Sequence, residues 1–186
     1  ADWNRVIDAL AVQETYFWRE YDQVDALIRH VLPRYYQQNP NEPLTIWSAA
    51  CASGEEPLTI AISLQEAGWL EKMPIQVVAS DASPKALAKA KLGHYRDYAL
   101  RNLPDAIRQK YFAPENGHWR IDPDVHSRVS FRQANLVSPH TLGMLLSAQI
   151  VFCRNVFIYF NDETILNVVN SLVKSSFGMK HLFLGA

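Results

Sequence analysis

The chain has 186 residues, of which 48% are hydrophobic and 20% charged, and its formal net charge is −1. This is the size and balance of one globular domain with a real core, or one domain with a small appendage. The absence of a basic run argues against a nucleic-acid binder; no apolar run reaches membrane-span length and no secretory leader is visible, so a cytoplasmic protein without membrane insertion is expected.

Residues 3–32 carry helical periodicity, with Val6, Leu10, Phe17, Val24, Leu27, Ile28 and Val31 recurring at three- and four-residue spacing. The pattern lapses in "AVQETYF", which predicts a break between two helices within residues 10–17. "QQNPNEP" reads as a loop. From there strands and helices alternate. "LTIWSAA" is the first strand, residues 57–67 a helix stopped by Gly68, and "IQVVAS" the second strand. Ser83-Pro84 supplies a helix N-cap with Pro at the first helical position, and Gly93 ends that helix. "RVSFRQANL", "AQIVFCRNV" and "HLFLGA" are the third, fourth and fifth strands. "NDETILNVVNSLVKSS" is a helix with Asn161 or Asp162 near its cap. Short apolar strands alternating with helices predict a doubly wound, mostly parallel α/β sheet with helices on both faces.

The alternation fails over residues 95–124, a short helix followed by a turn-rich stretch. We read this as a small inserted subdomain in which "HWRI" and "RVSF" are hairpin-like. His94, His118 and His126 read as surface residues. Cys51 and Cys153, the two cysteines, fall in or beside apolar runs without metal spacing, so buried reduced thiols and no metal are expected.

Ligands of doubly wound sheets bind beyond the carboxyl ends of the strands. After the first strand come Ala49, Ala50, Cys51, Ala52, Ser53 and Gly54, small residues that let a ligand approach the backbone. After the second comes Asp81, placed to accept from ribose hydroxyls. Asn135-Leu136 follow the third and Arg154-Asn155 the fourth. The next helix opens with Glu55 and Glu56, where a phosphate-binding loop wants no acid, and neither GxxxxGK[ST] nor GxGxxG is present. A nucleoside with a cationic tail fits better, and S-adenosylmethionine is such a molecule. The plainer reading is that Ser53 and Glu56 form a capping box, which needs no ligand. Asp81 alone is equally a turn residue.

With these residues in hand, the chain resembles the CheR-type chemotaxis methyltransferases, which use S-adenosylmethionine to methylate glutamate side chains of chemoreceptors. The matching segments are "ETYFWRE", "IWSAACASGEEPLTIAISL", "VVASDASPKALAKAKLGHYR", "ANL" and "IVFCRNVFIYF", in family order from Gln13 onward. The resemblance implies a Rossmann-like class I methyltransferase fold with N-terminal helices and a small inserted antiparallel subdomain. It divides the chain into a remnant of the helical N-terminal domain and linker (1–40) and a catalytic domain (41–186), with the insert at about 95–128 and C-terminal strands missing. Carried over residue by residue, it implies cofactor contacts from Gln13, Thr15, Arg19, Glu56, Asp81, Asn135, Leu136, Arg154 and Asn155. Gln13 departs from the usual Asn. Arg19 and Tyr159 are implied to flank the transferred methyl. The implied partner is the cytoplasmic signalling domain of a chemoreceptor, met by a monomer.

The chemistry suits these residues. A glutamate of pKa about 4.3 is already ionised at neutral pH, so its methylation needs alignment and no strong base. Arg19 offers a forked, charge-assisted grip on a carboxylate, and Tyr159 one hydroxyl donor. Arg19 on an amphipathic helix is more commonly a solvated charge, and Tyr159 in "VFIYF" core. Two other readings stand beside this one: a binding module without turnover, and a methyltransferase with another acceptor. "RNVFIYF" after the fourth strand lacks the [DN]PP[YFW] motif of many enzymes that methylate base amines.

Overall fold

The computed structural model of the chain describes residues 14–174 and 181–185. Gln13 and most of the predicted first helix lie outside the described residues. Residues 14–20 form an irregular strap, so the break reaches three residues past Phe17. Helix α1 (Tyr21–Ala26) then runs through a π-helical turn, Leu27–Val31, into α2 (Leu32–Gln38). Arg19 therefore sits on the strap and not on a helix.

Strand β1 (Leu44–Ala49), helices α3 (Glu55–Glu66) and α4 (Trp69–Lys72), strand β2 (Ile75–Asp81) and helix α5 (Pro84–Leu92) follow in the predicted order. Ser83 caps α5 by accepting from the Ala86 N–H at 3.0 Å, and Gly93 closes it at φ 67°. After strand β3 (His94–Tyr95), a 3₁₀ turn (Asp97–Leu100) and helix α6 (Asp105–Tyr111) come strands β4 (Phe112–Glu115) and β5 (His118–Ile121). Helix α7 (Pro123–Ser127), strand β6 (Val129–Gln133), helix α8 (Pro139–Leu142), a 3₁₀ turn (Gly143–Ser147), strand β7 (Ile150–Cys153), a 3₁₀ turn (Phe157–Tyr159), helix α9 (Asp162–Lys174) and strand β8 (His181–Leu184) complete the order. Asn161 caps α9 through the Thr164 N–H at 2.9 Å.

The main sheet has five strands in the order β6-β2-β1-β7-β8, and every neighbouring pair is parallel. Numbered within the sheet this is 3-2-1-4-5, a doubly wound order whose switch point falls between β1 and β7. Successive residues of a strand face opposite layers. Ile46, Val77, Ala79, Ile150 and Phe152 join one buried cluster, while Trp47, Val78, Val151 and Cys153 join the other. Burial on both faces is why these strands read as apolar runs without alternation. Cys51 and Cys153 are buried and unpaired with each other. Among the described residues, no helix is long and apolar enough to cross a membrane.

The insert needs one correction. Its sheet has the order β3-β5-β4, so "HWRI" pairs with "FAPE", and "RVSF" belongs to the main sheet as β6. The turn between β4 and β5 holds Asn116 and Gly117 at φ 49° and 76°, the left-handed pair that tight hairpins favour. His126 is half-buried, with Nε2 2.8 Å from the Ala90 carbonyl, and is not a surface residue.

Candidate active site

The loop after β1 is left-handed at Ala50, Ala52 and Gly54, with φ of 55°, 47° and 94°. Each such L-residue costs about 1–2 kcal/mol, so the surroundings must hold it. Cys51 N–H donates to the Ser80 carbonyl at 2.9 Å and Ala52 N–H to Asp81 Oδ2 at 2.8 Å. Asp81 Oδ1 accepts from Ser83 N–H at 2.8 Å, so one carboxylate at the end of β2 ties two loops together. At Gly54 a Cβ would lie 3.0 Å from the Ala90 Cβ, which lets α3 start hard against α5.

The capping box does not form. Gly54 is the N-cap of α3, and the Ser53 hydroxyl turns to Glu55, 2.9 and 3.0 Å from its two oxygens. Glu56 instead reaches inward, accepting from Ser48 Oγ at 2.7 Å and lying 3.4 Å from Arg154 Nε. Neighbouring residues on a helix point about 100° apart, so the two acids serve different places. Burial raises the Glu56 carboxyl above its usual range, while Arg154 and the Ser48 hydroxyl pull it back. Burial lifts Glu55 to about 7, against its backbone N–H, Ser53 and Lys89. Burial, with Asp81 and both glutamates nearby, pushes the Cys51 thiol well up, so it is no ready nucleophile.

The strap crosses the carboxyl edge of the sheet. Phe17 is fully buried, edge-on to Tyr95 and Phe112 of the insert at 4.8 and 5.0 Å, and its N–H donates to the Ala99 carbonyl at 2.9 Å. Trp18 N–H donates to Thr59 Oγ1 at 3.3 Å. Trp18 and Glu20 are left-handed at φ 63° and 47°. Buried Arg154, just past β7, donates from Nη2 to the Arg19 carbonyl at 2.6 Å and so fastens the strap to the sheet. Strained backbone at Trp18, Glu20, Ala50, Ala52 and Asn155 thus gathers around one place, as strain does at functional sites.

That place is a cavity of about 190 Å³ at the switch point, lined by the strap, the β1 loop and the β7 exit. It joins Thr15, Arg19, Glu56, Arg154, Asn155 and Tyr159. It is smaller than the ~300–1,000 Å³ of most ligand pockets and takes only part of a nucleoside derivative. Asp81 stands outside the lining and meets it through Ala52. Asn135 and Leu136 also lie outside: Asn135 Oδ1 accepts from the Val137 N–H at 3.1 Å in a local turn, and the Leu136 side chain is buried in the second core cluster. Tyr16, Thr59 and Ile158 line the cavity without having been singled out in the sequence. Tyr16 lies within "ETYFWRE", which was the available signal; Arg101 stacks on it at 3.6 Å and on Tyr98 at 3.7 Å, a contact between strap and insert.

A buried acid, a loop of small residues and a carboxylate closing β2, on a parallel 3-2-1-4-5 sheet, are the arrangement of a Rossmann-like, class I methyltransferase domain. Residues 13–186 match the family model described as CheR methyltransferase, SAM binding domain. The chain is 38% identical over 183 residues to chemotaxis protein methyltransferase 2 of Vibrio cholerae, covering 97% of this chain and 63% of that protein. It is 38% identical over 194 residues to chemotaxis protein methyltransferase Cher2 of Pseudomonas putida, covering 98% of this chain and 68% of that one. It is 37% identical over 189 residues to chemotaxis protein methyltransferase 1 of Pseudomonas aeruginosa, covering 97% and 68%. The chain therefore belongs to the CheR family and carries its S-adenosylmethionine-binding domain.

Proposed function

We propose that the protein transfers methyl groups from S-adenosylmethionine to glutamate carboxylates on the cytoplasmic signalling domain of chemoreceptors, giving methyl esters for sensory adaptation. Family membership supports the cofactor and the methyl transfer. The observation that carries the acceptor is that Arg19 and Tyr159 open onto the same cavity as Glu56, while no histidine among the described residues lines it.

In this reading Thr15, Glu56, Arg154 and Asn155 hold the amino-acid tail of the cofactor, with Glu56 set against its ammonium. Asp81 takes the ribose, and the turn at Asn135-Leu136 borders the adenine through its backbone. Gln13 completes the set. The bound cofactor supplies a methyl group on a positively charged sulfur. Arg19 orients the incoming carboxylate, and its guanidinium already bonds the Glu14 carbonyl at 2.9 Å, so it is held before substrate arrives. Tyr159, 54% exposed at the rim, reaches a side chain presented from outside. Transfer of that methyl to a carboxylate oxygen would need no proton moved, so the task of Arg19 and Tyr159 would be to align the oxygen with the methyl group. The protein works in the cytoplasm as a monomer that meets its receptor transiently.

The test uses methyl-labelled cofactor and a receptor signalling-domain fragment, followed by base. Release of volatile methanol is expected; label that survives base marks an N-methyl product and overturns the acceptor assignment.

A further inference from the structure

Glu20 closes the "ETYFWRE" segment but carries no role in the reading above, and it stands behind three cavity residues. Its Oε1 accepts from Asn155 Nδ2 at 3.0 Å and lies 3.7 Å from Arg19 Nε; its Oε2 lies 3.6 Å from Arg154 Nη2. Glu20 itself does not line the cavity. Its left-handed backbone, at φ 47° and ψ 51°, turns the chain from strap into α1, and the carbonyl on either side of that turn accepts from Arg154. Gln23, one turn on, donates to the Leu184 carbonyl at 2.8 Å and ties α1 to the end of β8.

A carboxylate can only accept, whereas an amide has a donor end and an acceptor end. Glu20 therefore fixes the orientation of the Asn155 amide: one N–H of Nδ2 is held by Glu20, and Oδ1, on the other arm of the amide, is left as an acceptor. The amide is confined from the other side as well, since a Cβ on Gly185 would lie 2.6 Å from the Asn155 backbone nitrogen and 2.8 Å from Nδ2. With the Glu56 carboxylate, that puts two acceptors among the residues lining the cavity, which an ammonium group wants.

We infer that Glu20 is a positioning residue that fixes the Asn155 amide so that its oxygen receives the ammonium of the cofactor's amino-acid tail. This rests on the cofactor placement proposed above. A neutral glutamine at the position can donate as well as accept, so the amide is free to turn over.

The experiment is calorimetry on the wild type, Glu20→Gln, Asn155→Ala and the double variant, with S-adenosylhomocysteine and with 5′-methylthioadenosine, which lacks the amino-acid tail. Glu20→Gln is expected to weaken S-adenosylhomocysteine about tenfold, the scale of one hydrogen bond to a charged group. It should leave 5′-methylthioadenosine unchanged. The double variant should bind no more weakly than Asn155→Ala alone, because the two act as a unit. Unchanged affinity in Glu20→Gln, additive losses in the double variant, or equal losses for the two ligands each overturn the inference. A wild type that gives no heat with S-adenosylhomocysteine overturns the cofactor placement instead.

Discussion

Arg19 and Tyr159 sit on elements far apart in sequence and open onto one cavity. If they align the carboxylate, Arg19→Ala slows methyl transfer by about 10²-fold, the size of a misplaced reactant, and Tyr159→Phe by about tenfold, the size of one hydrogen bond. Tyr159→Phe leaves cofactor affinity nearly unchanged. Asp81→Ala instead weakens S-adenosylhomocysteine by roughly tenfold or more, read by calorimetry, and an unchanged affinity contradicts the ribose assignment. Glu55 makes a separate prediction. Its folded pKa of about 7 exceeds the ordinary 4.5, so its neutral form is favoured in the fold. Its contribution is fully present below pH about 4.5 and is lost as pH rises through about 7, a span on the order of 3 kcal/mol. Glu55→Gln should flatten the stability-versus-pH curve over that window and raise the melting temperature above it; thermal melts across pH decide this. In the sequence "SGEEP" set both acids against a phosphate and offered only Glu56 as a cap partner or cofactor contact, with no sign that the two side chains part. Their divergence was hidden because it depends on Ser48 and Arg154, residues that only the fold brings to Glu56.

At the scale of elements, the strap is the part that matters most and was least legible. Strands and helices of the main sheet follow from apolar runs, Gly stops and the Ser83-Pro84 cap, all local signals. The strap is irregular, and its bonds to Thr59 and Arg154 span 41 and 135 residues, so no local pattern reports them. The insert was partly legible. "FAPE" carries Pro114, which hid a strand, although Pro is tolerated on an edge and β4 is the edge of its sheet. Asn116-Gly117 was the available hairpin signal. The strap's anchor gives a test: Phe17→Ala empties a fully buried aromatic site against Tyr95 and Phe112. It should cost about 3–5 kcal/mol in urea unfolding and also weaken cofactor binding, because Thr15 and Arg19 ride on the same segment. Lost stability with unchanged affinity contradicts the strap's role in the site.

For the whole molecule, sheet order, cavity and charge act together. The doubly wound order places the β1 loop and the β7 exit side by side, the strap roofs the gap, and Glu56 sets an acid in the lining where a phosphate site has none. The molecule should accept a nucleoside with a cationic tail and refuse one with phosphates. At a hundred times its dissociation constant, S-adenosylhomocysteine should add about 2.7 kcal/mol of stability, and ATP at the same concentration none. Equal shifts in melting temperature from both ligands contradict this electrostatic account. The most direct test of the central claim remains the fate of the transferred methyl. With labelled S-adenosylmethionine and a chemoreceptor signalling-domain fragment, the account predicts label on the fragment that base releases as methanol; label that resists base, or none transferred at all, contradicts it.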